Sequence, residues 1–62
     1  MKIEYEVLID VGGEMADVEL TTSNGTDAIG ILIRCHEEGY RAWINVYCDD
    51  EYVDTIEPTT KV

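Results

Sequence analysis

The sequence predicts an α+β domain in which one helix covers one face of a four-stranded sheet, with the elements in the order ββαββ. Three observations predict it. Apolar and polar residues alternate with period two over residues 3 to 11 and again over 40 to 48, as in strands with one buried face. Between these runs, apolar residues recur at helical spacing from about Asp27 to Glu38. The chain has 62 residues, enough for one core and not for two.

The first strand places Ile3, Tyr5, Val7, Ile9 and Val11 on one face and Lys2, Glu4, Glu6, Leu8 and Asp10 on the other. Gly12-Gly13 breaks the run as a hairpin loop does. The second strand follows with Ala16, Val18 and Leu20 inward and Asp17, Glu19 and Thr21 outward. After the polar loop Thr22-Ser23-Asn24-Gly25, Thr26 is the expected N-cap, with Asp27 favourable at the positive end of the helix dipole. Ala28, Ile29, Leu32, Ile33, Cys35 and His36 form the expected apolar stripe, Ile31 falls at its edge or outside it, and Gly39 is the left-handed residue that ends the helix. Gly30 in mid-helix costs ~1 kcal/mol relative to Ala, which suggests close packing against that turn.

The third strand directs Tyr40, Ala42, Ile44, Val46 and Cys48 inward and Arg41, Trp43, Asn45 and Tyr47 outward. Asp49-Asp50-Glu51 is the turn, and Tyr52 to Glu57 returns as a fourth strand ended by Pro58. Its parity is ambiguous, because Val53 and Ile56 both face inward only if the strand carries a bulge. The organisation is one acidic domain over 1–58 and a mobile tail over 59–62. A right-handed crossover through the helix favours the grasp-like order 2-1-4-3, with the first and last strands central and parallel. In element order alone this resembles the small immunoglobulin-binding bacterial domains, which implies a topology and no function. Two hairpins side by side, antiparallel throughout, are the alternative.

Fourteen acids against four bases give a net charge of −10. Solubility of a small domain is served by a magnitude of roughly 2–8, so the excess points to a basic partner surface. Direct nucleic-acid binding is not expected, because Lys2, Arg34, Arg41 and Lys61 are scattered and phosphate contacts need clustered cations. Met1-Lys2-Ile3-Glu4 leads straight into the first alternation without a signal-like apolar region. No run approaches the roughly 18 apolar residues of a membrane span. A cytoplasmic protein with Cys35 and Cys48 reduced is therefore expected, with no membrane partner.

No catalytic set, metal site or cofactor motif is expected. Asp49, Asp50, Glu51 and Asp54 crowd four carboxylates into six residues, but without the spacing and central glycine of a calcium loop they read as a solvated turn. Cys35, His36 and Cys48 are three soft ligands without zinc spacing, and no nucleophile–base pair is visible. The protein is therefore not expected to be an enzyme.

The expected site is a binding surface. Parity gathers Glu4, Glu6, Asp10, Asp17 and Glu19 on the sheet face away from the helix, together with Arg41, Trp43 and Tyr47. Asp49, Asp50, Glu51 and Asp54 extend the acidic surface at the last turn. Carboxylates at alternate strand positions lie about 6.8 Å apart, near the phosphate repeat of about 6–7 Å along a nucleic-acid strand. In this respect the sequence looks like the small acidic inhibitors encoded by phages, viral proteins that block host nucleic-acid enzymes. The expected function is occupation of the basic groove of a nucleic-acid-processing enzyme by charge mimicry. The alternative is a generic interaction or regulatory module, a homodimer being one form of it, that uses the Trp43/Tyr47 face while acidity serves solubility.

Overall fold

A computed structural model describes residues 1–58, and the tail expected to be mobile, 59–62, lies outside the described residues. The elements are β1 (Ile3–Asp10), β2 (Asp17–Thr22), α1 (Gly25–Glu37), β3 (Arg41–Cys48) and β4 (Glu51–Ile56). The chain thus forms the ββαββ arrangement, one four-stranded sheet and one helix.

The strand order is β2-β1-β3-β4 and every pairing is antiparallel. The grasp-like order 2-1-4-3 is thereby corrected to the arrangement of two adjacent hairpins. The reason lies in β4. Its helix-side positions include Asp54, paired with Val46, and a central strand under the helix would bury that carboxylate at high cost. The two eight-residue strands take the centre instead, paired from Ile3 with Cys48 through to Asp10 with Arg41.

The helix begins earlier than predicted. Asn24, and not Thr26, is the N-cap: its Oδ1 accepts the Asp27 N–H at 3.2 Å, while the Asn24 N–H donates to Thr22 Oγ1 at 3.0 Å. At the other end Gly39 has φ +94°. The Gly39 N–H donates to the His36 carbonyl and the Tyr40 N–H to the Cys35 carbonyl, the paired bonds of a Schellman turn.

The helical stripe also differs from the predicted one. Ala28, Leu32 and Cys35 are buried and Ile31 packs against them, whereas Ile29 is 39% exposed, Ile33 is 52% exposed and His36 is exposed. The i, i+3, i+4, i+7 set 28-31-32-35 is the face in contact. α1 packs on β1, β2 and β3 and makes no contact with β4, so the flank carrying Ile29 and Ile33 has nothing over it. The core consists of Val7, Ile9, Ala28, Leu32, Cys35, Ala42 and Ile44, surrounded by Tyr5, Leu20, Ile31 and Val46.

Close packing at Gly30 is not found: a Cβ there meets nothing within 4 Å. Gly30→Ala is therefore expected to stabilise the domain by about 0.8–1 kcal/mol, read as a higher urea midpoint with an unchanged slope. An unchanged or lower midpoint would contradict this account of the helix.

Both outer strands contain a bulge. In β2 the pairing steps from Val7–Leu20 to Leu8–Val18, leaving Glu19 as the extra residue. In β4 it steps from Val46–Asp54 to Tyr47–Tyr52, leaving Val53 extra. An inserted residue reverses the parity of everything beyond it. Val18, predicted inward, accordingly pairs with outward Leu8 and is 51% exposed. Ile56 pairs with buried Ile44 on the helix side, and Val53 is exposed.

Candidate protein-binding surface

The sheet face opposite the helix is built around β1. Period-two geometry directs Glu4, Glu6, Leu8 and Asp10 outward, and register sets them beside Tyr47, Asn45, Trp43 and Arg41 of β3, respectively. Glu4 and Glu6 therefore lie about 6.8 Å apart, Leu8 separates them from Asp10 by twice that distance, and an aromatic ribbon runs along the neighbouring strand.

The ribbon is held in place. The Tyr47 hydroxyl donates to Glu6 Oε1 at 3.3 Å, and its ring meets Tyr52 edge-on with centroids 6.0 Å apart. Desolvation and then the Glu6 carboxylate push the Tyr47 phenol above its ordinary pKa. The Arg41 guanidinium lies 5.3 Å from the centre of the Trp43 ring and 3.7 Å from a Glu57 oxygen. Thr55 Oγ1 donates to Asn45 Oδ1 at 2.9 Å and lies 2.6 Å from the Tyr52 hydroxyl. These contacts restrict side chains that a partner would otherwise have to order, which lowers the entropic cost of binding.

The β3–β4 turn completes one end of this face. Asp49 and Asp50 have φ of 51° and 68°, a conformation that Asp tolerates better than most residues. Asp49 is tied down, accepting the Lys2 N–H through Oδ1 at 2.9 Å and donating its own N–H to the Lys2 carbonyl at 2.7 Å. Asp50, Glu4, Glu6, Thr21 and Tyr47 line a depression of about 240 Å³. Lys2 Nζ lies 3.9 Å from Glu4, with both side chains partly solvated, a pairing of little energetic weight.

Not every expected residue joins this surface. Glu4, Glu6, Asp10, Asp50, Trp43 and Tyr47 are brought together, with Asp49 at the margin. Asp17 pairs with Ile9, an inward residue, and so leaves the open face. Glu19 is the bulge residue, and its charge bears on Cys35 of the helix. Glu51 and Asp54 pair with Cys48 and Val46 on the helix side of β4. The β2 bulge causes the departures of Asp17 and Glu19 from simple parity, and in β4, whose parity the sequence leaves ambiguous, the Val53 bulge sets both Glu51 and Asp54 on the helix side. Val18 and Tyr52 are the residues that parity missed, turned onto the open face by the same bulges. Row by row, Val18–Leu8–Trp43 crosses three strands and Tyr47–Tyr52 crosses two.

The cysteines are both free, Cys35 buried and Cys48 half-buried. They lie toward opposite ends of the sheet, since the Cys35 carbonyl bonds the residue just before β3 and Cys48 ends β3. Strand rise over that length separates them by roughly 20 Å, beyond any disulfide. Burial, and then the Glu19 carboxylate, push the Cys35 thiol above its ordinary pKa. The stability linked to its proton is complete below the unfolded thiol's pKa and declines as pH rises through the folded value. In native protein, iodoacetamide is expected to modify Cys48 well before Cys35, with Cys35 reacting at the rate of global opening. Equal rates by mass spectrometry would contradict the burial of Cys35.

His36 is exposed beside buried Cys35, so the two diverge. Among the described residues no group of three or more His, Cys, Asp or Glu is arranged to hold a metal ion. No helix among them is long and apolar enough to cross a membrane. The chain matches no protein-family model, no curated protein and no solved structure.

Proposed function

We propose that the protein is a small acidic binding protein that occupies a basic surface on another protein through its open sheet face. The observation that carries this reading is the row of Glu4, Glu6 and Asp10 along β1, joined at one end by Asp50 and flanked by Tyr47 and Trp43. In its specific form the partner is a nucleic-acid-processing enzyme. Glu4 and Glu6 enter its basic groove at the spacing of adjacent phosphates, and the protein acts as an inhibitor of the phage type. Two features support this form: a net charge of −10 beyond what solubility needs, and the Glu4–Glu6 pair at about 6.8 Å on a central strand.

A second reading rests on the Val18–Leu8–Trp43 row, since an outward sheet face is ordinarily polar. Trp and Tyr are residues that dominate binding hot spots, so this row suits a regulatory module or self-association, with acidity for solubility.

Capture from lysate with stepwise salt elution, followed by mass spectrometry, tests the proposal. The expected result is a nucleic-acid-binding enzyme that elutes at moderate salt and is displaced by added duplex DNA. Captured proteins that resist both salt and DNA would transfer the case to the second reading. Recovery of no nucleic-acid-binding protein would remove the mimicry form altogether.

A further inference from the structure

We propose that Asn24-Gly25 is a site of spontaneous deamidation, held closed by the helix N-cap in the folded domain and unlatching the first turn of α1 once it reacts. The whole chain holds two side-chain amides, Asn24 and Asn45, and no glutamine. Loss of an Asn amide begins when the backbone nitrogen of the next residue attacks the side-chain carbonyl carbon. Glycine in that next position leaves the approach open, having neither a Cβ in the way nor a restricted backbone. Asn24 is followed by Gly25. Asn45 is followed by the β-branched Val46 within β3, and its Oδ1 accepts from Thr55 Oγ1 at 2.9 Å. The lability is therefore confined to one position.

The reacting atoms are adjacent, but the fold holds them apart. Asn24 is exposed and Gly25 partly so, so water and hydroxide reach both. Gly25 is the first residue of α1, where an N–H has no acceptor within the helix. Once hydroxide takes that proton, the Gly25 nitrogen bonds to Asn24 Cγ, the Cγ–Nδ2 bond breaks, and ammonia leaves with a proton from water. The product is a five-membered succinimide ring, which water opens on either side. Opening at Cγ gives aspartate in the original chain. Opening at the main-chain carbonyl gives isoaspartate, with the backbone routed through Cβ and Cγ. In the folded domain ring closure is blocked: the Asn24 ψ of 108° turns the Gly25 nitrogen away from the side chain, and Oδ1 accepts the Asp27 N–H at 3.2 Å.

The cap is also what the reaction removes. Asn24 satisfies two amides at the start of α1, the Asp27 N–H through Oδ1 and the Ala28 N–H through its carbonyl at 3.1 Å. Its own N–H donates to Thr22 Oγ1 at 3.0 Å. Isoaspartate lengthens the main chain by one carbon here, so carbonyl and side-chain acceptor no longer take these places together, and the cap is lost. Ala28, in the turn that the cap fixes, is fully buried in the core. The aspartate product behaves oppositely: Asp caps as well as Asn, and its charge suits the positive end of the helix dipole. The two products share a mass and differ in stability. Each opening of the first turn thus exposes the domain to an irreversible change, at a rate set by local fraying.

The test incubates the full chain at mildly alkaline pH, with and without denaturing urea, and follows the ammonia released. Peptide mass spectrometry locates the product, and an isoaspartyl methyltransferase reports isoaspartate. Release is expected from Asn24 alone, and about tenfold or more slower in native protein than in urea. Gly25→Ala is expected to slow release in urea by about tenfold or more. That variant is compatible with the fold as well, since its Cβ would come no closer than 3.4 Å to the Tyr5 ring. The isoaspartate form, separated chromatographically, is expected to unfold at a lower urea midpoint than the parent, and Asn24→Asp at an unchanged or higher one. The proposal is overturned if the ammonia comes from Asn45, if native and unfolded chains react at equal rates, if Gly25→Ala reacts as fast as the parent, or if the isoaspartate form keeps the parent's midpoint. The acidic row takes no part in the reaction, so the open-face reading stands or falls separately.

Discussion

Ile44→Ala is expected to leave the domain largely unfolded on mild warming. Ile44 is fully buried at the middle of a central strand, paired with fully buried Val7 on one side and Ile56 on the other. Truncating a buried isoleucine removes its transfer free energy and leaves a cavity, together about 2–5 kcal/mol. At roughly 0.05–0.15 kcal/mol per residue, a chain of 62 residues holds only a few kcal/mol in all. The loss therefore falls within the range of the whole stability. Urea unfolding is the measurement, with Ile33→Ala alongside it: the same residue type at 52% exposure is expected to change stability by no more than about 0.5 kcal/mol. Comparable midpoints for the two variants would mean that the core is not where the structure places it.

Neutralising Glu4, Glu6, Asp10 and Asp50 together, as Glu4→Gln, Glu6→Gln, Asp10→Asn and Asp50→Asn, is expected to weaken binding to a captured basic partner by about 100-fold or more. Close charge pairs across an interface have measured couplings of about 1.5 kcal/mol and upward, and 1.4 kcal/mol is tenfold in affinity. Two effective pairs suffice for that loss. The salt dependence should flatten in parallel. Each replacement keeps its local geometry: Gln at position 6 still accepts from Tyr47, Asn at position 10 still accepts the Gly12 N–H, and Asn tolerates the positive φ of position 50. Removing like charges should also leave the urea midpoint unchanged or higher. The opposing experiment is Trp43→Ala with Tyr47→Ala. If that pair abolishes association while the four neutral replacements do not, the acidic row is not the recognition element.

Much of the fold was legible because β1, β3 and the helix repeat their pattern over enough residues to fix which side is buried. The row of Glu4, Glu6 and Asp10 followed from that parity alone. The failures cluster where one residue decides a register. Glu19 carries no composition signal that marks it as a bulge, yet it reverses the residues beyond it, moving Asp17 off the open face and bringing Val18 onto it, while the Val53 bulge sets both Glu51 and Asp54 on the helix side and Tyr52 on the open face. For β4 the conflict between Val53 and Ile56 did signal an insertion; for β2 the run Ala16, Val18, Leu20 hid it. Strand order was decided by Asp54, whose carboxylate is acceptable at an edge and costly at the centre. The helical stripe was misjudged because Ile29 and Ile33 look like core residues, and only the position of the helix over three strands leaves them out.

The two bulges have a consequence for how this protein meets others. A flat outer strand offers unpaired amides and carbonyls as a template on which further strands can grow into fibres. Here both outer strands are interrupted at mid-length, β2 by a glutamate and β4 beside an aspartate. A growing β-stack would have to bury or repel those carboxylates at every added layer. The sheet is thereby terminated on both sides, and a chain with exposed Ile, Val and Tyr side chains is directed toward contact through its two faces and away from polymerisation along its edges.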